Sequence, residues 1–157
     1  MYDPRGGHTI LSYGGPGGRD LLQVQDPEGH LNQFRYDAQG HLIQHLGALG
    51  QNWRQTYSNG FLASRITPDG ATWSFVNDSL GRPTLTNLPN GRQVRTTYDA
   101  RDRVTQVNNS GAVSRTSYDA NDLPLTFTDP LNRVTTNSYD AYLRLSKGEF
   151  PVSACNG

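Results

Sequence analysis

The chain has 157 residues, of which 14 are Lys or Arg and 14 are Asp or Glu, so its formal net charge at neutral pH is zero. That balance excludes the global positive field by which a basic protein gathers nucleic acid or an anionic membrane. A single cysteine excludes an internal disulfide, and no run approaches the roughly 18 apolar residues of a membrane span. Gly and Pro number 17 and 9, above the usual share, and they recur at regular places, which argues for many short elements separated by turns and against disorder.

Residues 1–20 are the least regular. Tyr2-Asp3-Pro4-Arg5-Gly6 reads as a decayed copy of a signature that follows, and the start holds no apolar core of a signal peptide. Gly14-Gly15-Pro16-Gly17-Gly18-Arg19 invites a phosphate-loop reading. It lacks the Lys-Ser/Thr ending and no strongly apolar strand feeds it, so a stretched inter-strand turn is the simpler reading.

From Leu21 a repeat takes over. Tyr36-Asp37, Tyr57-Ser58, Asn77-Asp78, Tyr98-Asp99, Tyr118-Asp119 and Tyr139-Asp140 occupy one slot at steps of 21, 20, 21, 20 and 21 residues. Gly29, Gly50, Gly70, Gly91, Gly111 and Asn132 keep the same beat between them. Each unit reads as strand, turn, strand, turn. Asp26-Pro27-Glu28-Gly29, Pro68-Asp69-Gly70 and Pro89-Asn90-Gly91 have tight-turn chemistry, because Pro presets φ and Gly accepts a positive φ. No segment sustains a helical stripe over ten residues.

Counting back by twos from the slot separates two strand faces. Tyr57/Gln55/Trp53, Asn77/Phe75/Trp73 and Tyr36/Phe34/Asn32 give one aromatic-leaning face, while Thr56/Arg54, Thr97/Arg95 and Ser117/Arg115 give a face rich in Arg, Ser and Thr. Adjacent hairpins in one sheet satisfy each other's backbone groups and bury the aromatic ladder, with each phenol in reach of a backbone partner. The Asp after each Tyr is placed to accept backbone N–H groups of the following turn. Six equivalent units argue against catalysis, which needs one special constellation.

Tyr36-Asp37-Ala38-Gln39-Gly40-His41-Leu42, Asn77-Asp78-Ser79-Leu80-Gly81-Arg82, Tyr98-Asp99-Ala100-Arg101-Asp102-Arg103-Val104 and Tyr118-Asp119-Ala120-Asn121-Asp122-Leu123 resemble the RHS/YD-repeat pattern, Tyr-Asp-x-x-Gly-Arg-Leu. The resemblance covers residues 21–147. Ser58 departs from it at the Asp, Asn77 at the Tyr, and Asp102, Asp122 and Leu143 at the Gly. What the resemblance implies is a long β-sheet that spirals into a hollow shell around a toxic domain or other cargo, as in bacterial secreted polymorphic toxins, with related repeats in animal teneurins. The family's shells can end in a self-cleaving segment with an Asp-Pro-x-Gly setting. Asp26-Pro27-Glu28-Gly29 fits superficially, but it keeps register with the ordinary turns and is read as one of them.

Other chemistry is weaker. His41 and His45 share a strand face about 13 Å apart, too far for one metal ion, and His8 and His30 complete the histidines. There is no Gly-x-Ser-x-Gly elbow, and Cys155 stands alone in an irregular tail. Asn77-Asp78-Ser79 and Asn108-Asn109-Ser110 match glycosylation acceptors, in turns where Asn is expected anyway.

The expectations are therefore an all-β chain of tandem hairpins forming one curved antiparallel sheet, the arc of a hollow β-shell. Residues 1–20 form a Gly-rich lead-in or decayed repeat, residues 21–147 about six hairpins, and residues 148–157 an irregular tail. The repeat signature comprises Tyr36, Asp37, Gly40, Tyr57, Asn77, Asp78, Gly81, Arg82, Tyr98, Asp99, Arg103, Tyr118, Asp119, Tyr139 and Asp140. The function expected is structural and non-catalytic, with no metal or cofactor. Expected partners are further RHS repeats or a toxin or cargo domain, in cis or in trans, with self-association through unpaired sheet edges and no nucleic acid. The alternative is a carbohydrate or cell-surface binding module, with Trp53, Trp73 and Phe75 as its face. The resemblance implies secreted or cell-surface delivery from a bacterium, by a route other than a signal peptide or as a piece of something larger.

Overall fold

The structure, a computed structural model, describes residues 7–149. The Tyr2–Gly6 copy, the tail from Phe150 and Cys155 lie outside the described residues. Contacts divide the chain into two units at residues 81/82. The first holds β1 (Ile10–Gly14), β2 (Asp20–Gln25), β3 (Leu31–Tyr36), β4 (Leu42–Leu46), β5 (Asn52–Ser58), β6 (Phe61–Ile66) and β7 (Thr72–Asn77). The second holds β8 (Pro83–Asn87), β9 (Gln93–Tyr98), β10 (Val104–Asn109), β11 (Ala112–Tyr118), β12 (Pro124–Thr128), β13 (Val134–Tyr139) and β14 (Leu145–Glu149). Within each unit every strand pairs antiparallel with the next in the chain, and no helix occurs among the described residues. The all-β tandem-hairpin fold expected from the repeat is what forms.

Two turn designs connect the strands. In the first, three loop residues are closed by a backbone pair, as where Asp37 N–H donates to the His41 carbonyl and Gly40 N–H to the Asp37 carbonyl. The third loop residue has positive φ, as at Gly40 (86°) and Gly50 (83°), so each is a type I turn with a left-handed third residue. The same bonds close the turns starting at Asp26, Gly47, Thr67, Leu88, Asp99, Asp119, Asp129 and Asp140. The second design has two loop residues, both at positive φ, at Asn59-Gly60 (52° and 80°) and Ser110-Gly111 (51° and 99°). These are type I′ hairpins.

The two designs explain the uneven beat. Asn59-Gly60 falls between Tyr57 and Asn77, and Ser110-Gly111 between Tyr98 and Tyr118, and these are the two steps of 20 residues. A two-residue loop is one shorter than its three-residue counterpart. Ser58 needs no aspartate because the turn after it has no third loop residue to close.

At Leu143 the first design carries a γ-branched residue at φ 62°, in the position that Asn132 fills at 60°. A left-handed conformation costs a side chain with a Cβ about 1–2 kcal/mol, whereas Gly adopts it freely. The Leu143 side chain is half exposed and contributes little packing. Leu143→Gly is expected to raise stability by about 0.5–1 kcal/mol, read as an increased urea midpoint.

Along β3, β9 and β13 the slot residue and its i−2 and i−4 neighbours are half-buried while the alternate residues are exposed. The two-face reading therefore holds. The aromatic ladder, however, is not buried to the degree that stacked hairpins suggested. Among the described residues no hydrophobic side chain is buried, since each unit is one layer of sheet. Single-layer packing covers a ring from side chains of the same sheet and from no second layer.

Candidate functional site

The slot residues close β3, β5, β7, β9, β11 and β13, and each sends one donor to a backbone carbonyl 14 or 15 residues upstream. The Tyr36 hydroxyl donates to Leu21 (3.0 Å) and the Asn77 amide to Leu62 (2.8 Å), while the Tyr57 hydroxyl is shared between the Leu42 carbonyl (3.3 Å) and Gln55 Oε1 (2.8 Å). In the second unit Tyr98 donates to Pro83 (3.2 Å), Tyr118 to Val104 (2.8 Å) and Tyr139 to Pro124 (2.9 Å). Leu42 is the cross-strand partner of Tyr36, Leu62 of Tyr57, Val104 of Tyr98 and Pro124 of Tyr118, each beside a register shift. Each of these four slot residues thus pairs with the residue whose carbonyl receives the next slot residue. The bulge allows this by bending the strand start toward the incoming hydroxyl.

The aspartate after the slot clips the turn. Oδ1 of Asp37 accepts N–H of Gln39 and His41 (both 2.9 Å), and Oδ1 of Asp99 accepts those of Arg101 and Arg103 (2.8 and 3.1 Å). Asp119 and Asp140 do the same for Asn121 and Leu123 and for Tyr142 and Arg144, and Asp78 accepts N–H of Leu80 (3.0 Å). The second oxygen meets the side chain four residues on, at 2.9 Å for His41 Nδ1 and 2.7 Å for Nε of both Arg103 and Arg144. These are Asx turns reinforced by a side-chain hydrogen bond, which is an ion pair where the partner is Arg103 or Arg144.

That same basic residue covers the next slot. His41 stacks on Tyr57 with centroids 4.5 Å apart, and the guanidinium carbons of Arg82 and Arg103 lie 4.6 Å over the Tyr98 and Tyr118 rings. Arg103 also donates to the Asp119 carbonyl (3.0 Å) and to Asp122 (2.8 Å), and Arg82 pairs with Asp102. The residues that depart from Gly at 102 and 122 therefore have a role. They hold φ of 64° and 67°, which Asp tolerates better than most residues, and they present a carboxylate to the arginine of the preceding hairpin.

The hydrogen bond from Arg103 is the main cause that holds the Asp99 carboxyl below the usual carboxylate range, and Arg144 does likewise for Asp140. A carboxyl depressed in the folded state contributes stability that is complete above its unfolded pKa of about 4 and is lost as pH falls through the lower folded value. The urea midpoint is therefore expected to stay level from about pH 5 upward and to drop on acidification below about pH 4. Asp99→Asn should flatten part of that acid limb, and an unchanged limb would refute the role of the clip.

One slot is different. Asn77 keeps the bond to the Leu62 carbonyl but brings no ring. Around it an open hollow of about 870 Å³ is lined by Phe61, Ala63 and Phe75, with Ser58, Asn59, Asp78 and Ser79 at its rim. Phe61, which stands where His41 stands one hairpin earlier, packs on the backbone of Gly81 instead, so that a Cβ there would sit 2.3 Å from its ring. Of the three residues expected to form a sugar face, Phe75 lines this hollow and Trp53 and Trp73 do not. Arg65 lies 4.9 Å over the Trp53 ring. Phe61, Ala63 and Asn59 were not singled out by the sequence, although the missing Tyr at Asn77 is the signal that points to them.

The remaining candidates resolve into structure. Gly14 ends β1 and Gly15–Gly18 lies in the β1–β2 turn, where the Asp20 carboxylate at Gly17 N–H (3.5 Å) puts a negative charge where a phosphate would sit. Asp26–His30 is a turn of the first design, with His30 N–H on Asp26 Oδ1 at 2.8 Å. His45 hydrogen-bonds Asn32 (3.2 Å) and stacks on Phe34, apart from His41. Among the described residues no three His, Cys, Asp or Glu side chains are grouped to hold a metal ion. Asn108 spends its Oδ1 on Gly111 N–H (2.8 Å).

Fold and signature together define a tandem β-hairpin repeat protein in which one clip-and-ladder motif recurs along the sheet. Residues 36–72 and 78–113 match the RHS Repeat family model, and these two stretches are RHS repeats. No curated protein matches it. Among solved structures, the crystal structure of TcdB2-TccC3 is similar with a TM-score of 0.69 at 15% identity, over 89% of this chain and 9% of that one. A mutant Tc holotoxin pore from Photorhabdus luminescens is similar with a TM-score of 0.67 at 16% identity, over 90% of this chain and 9% of that one. At such identities the likeness is one of fold, and the chain spans about a tenth of the length of those neighbours.

Proposed function

We propose that the chain is a structural, non-catalytic segment of an RHS-type shell, whose work is to enclose or display a partner. The observation that carries this reading is the equivalence of the signatures: each slot residue bonds a backbone carbonyl, and the Asp clips bond turn N–H groups, so that the repeated side chains serve the scaffold. The single-layer sheet, with no buried hydrophobic side chain among the described residues, supports it, because such a sheet gains from neighbouring repeats. The solved neighbours are parts of Tc toxin assemblies, which favours a bacterial toxin setting, secreted or delivered at a cell surface, with further RHS repeats or a toxin domain as partner. A carbohydrate-binding face is the weaker reading, since Arg65 already occupies the Trp53 ring.

The test is the solution mass of the purified chain by light scattering over a concentration series. Mass that grows with concentration is expected of a sheet segment that pairs through its edges. A monomer at every concentration would count against the shell segment and for a self-sufficient module.

A further inference from the structure

We infer that the hollow at Asn77 is a receptor for one aromatic side chain, phenylalanine or tyrosine, presented by another polypeptide. The repeat's own packing says what fits there. At five of the six slots a tyrosine ring fills this space, and where the covering residue is His41, Arg82 or Arg103 it lies 4.5 to 4.6 Å from that ring. At the sixth, Asn77 performs only the polar half of the task, donating to the Leu62 carbonyl at 2.8 Å. The aromatic half is vacant.

Three features enlarge and shape that vacancy. Ala63 stands at the bulge position that holds Ile43 in β4 and Leu125 in β12, so the floor is lower by the volume of a branched side chain. Phe61 lies down on Gly81 rather than reaching over the slot, which leaves the ring of Phe61 as one wall and that of Phe75 as the other. Two phenyl walls favour an offset or edge-to-face third ring. The rim is formed by Ser58, Asn59, Asp78 and Ser79, with no cationic side chain among the lining residues, so an anionic ligand such as a phosphate or sulfated sugar is disfavoured. The Asn77 amide donates to Leu62, which leaves its oxygen to accept from a tyrosine hydroxyl.

The occupant follows from chemistry already in the sheet: an uncharged ring of the size the other slots hold. That it arrives on a polypeptide rests on the shell reading, in which the sheet faces an enclosed or displayed partner. The site itself does not depend on that reading, and its test is separate from the light-scattering measurement.

The experiment uses the full chain and ligand-observed saturation-transfer NMR, which tolerates oligomers. N-acetyl-phenylalanine amide and N-acetyl-tyrosine amide are expected to show saturable transfer to their ring protons, stronger than any to N-acetyl-leucine amide. Asn77→Tyr supplies the missing ring in cis and should abolish the transfer. Ala63→Ile fills the floor from β6 and should also abolish it, which keeps the test decisive if one variant fails to fold. Circular dichroism checks that each variant keeps its β spectrum. Equal transfer from wild type and a folded filled variant would overturn the assignment, as would no transfer at all. Transfer to methyl glucoside in place of the aromatic amides would overturn it in favour of a sugar site.

Discussion

Gly81→Ala is expected to destabilise the chain by about 2–4 kcal/mol, the sum of a left-handed backbone penalty and an overpacked ring. Gly81 has φ 82°, and its added Cβ would lie 2.3 Å from Cε1 and 2.5 Å from Cδ1 of Phe61. Gly40 provides the internal control, because it has φ 86° in the same turn design with nothing within 4 Å of an added Cβ. Gly40→Ala should therefore cost only the backbone part, about 1–2 kcal/mol. The difference in urea midpoints isolates the Phe61 contact. Equal losses at both positions would mean that Phe61 swings away at no cost, and the wall it forms beside Asn77 would then be mobile.

Tyr118→Ala is the second large effect, expected at about 2–3 kcal/mol, below the full cost of deleting a core aromatic because the ring is only half-buried. The residue joins two hairpins twice over, through its hydroxyl on the Val104 carbonyl at 2.8 Å and through the Arg103 guanidinium over its ring. Tyr118→Phe keeps the ring and should lose only about 0.5–1.5 kcal/mol, the range for one hydrogen bond. If the phenylalanine variant loses as much as the alanine variant, the hydroxyl rather than the ring holds the ladder. Either result bears on the third slot, where Asn77 provides the bond without the ring.

Much of this was legible beforehand, because it is local. A strand alternates its side chains every two residues, so Phe34 and Tyr36, or Phe75 and Asn77, could be assigned to one face from spacing alone. Turn chemistry is also local. An aspartate two to four residues from the N–H groups it accepts needs no tertiary information, and Asp37, Asp99, Asp119 and Asp140 stand where that chemistry put them. The alternation of 21 and 20 residues was visible as a number without its cause, which became plain once the Asn59-Gly60 and Ser110-Gly111 loops proved to be one residue shorter.

The departures from the signature were harder to read. Asp102 and Asp122 stood only as departures from Gly, yet they receive Arg82 and Arg103 of the preceding hairpin. That pairing spans about twenty residues of chain and depends on how two hairpins register, which periodicity does not report. The surroundings of the expected sugar face were hidden for the same reason. Trp53 and Trp73 share a strand face with Phe75, but the side chain above Trp53 is the cross-strand Arg65, and only the pairing of β5 with β6 brings it there.

The sequence by itself determined the repeat, its two-faced strands, its turn positions and the Asp clip, since all of these arise from contacts within a few residues. Tertiary structure alone decided which carbonyl each tyrosine reaches, which arginine covers it, and that Asn77 leaves a hollow between Phe61 and Phe75. The physical reason is the bulge beside Tyr36, Tyr57, Tyr98, Tyr118 and Tyr139. One extra residue on the even-numbered strand shifts the pairing there, and with it every contact that crosses from one hairpin to the next.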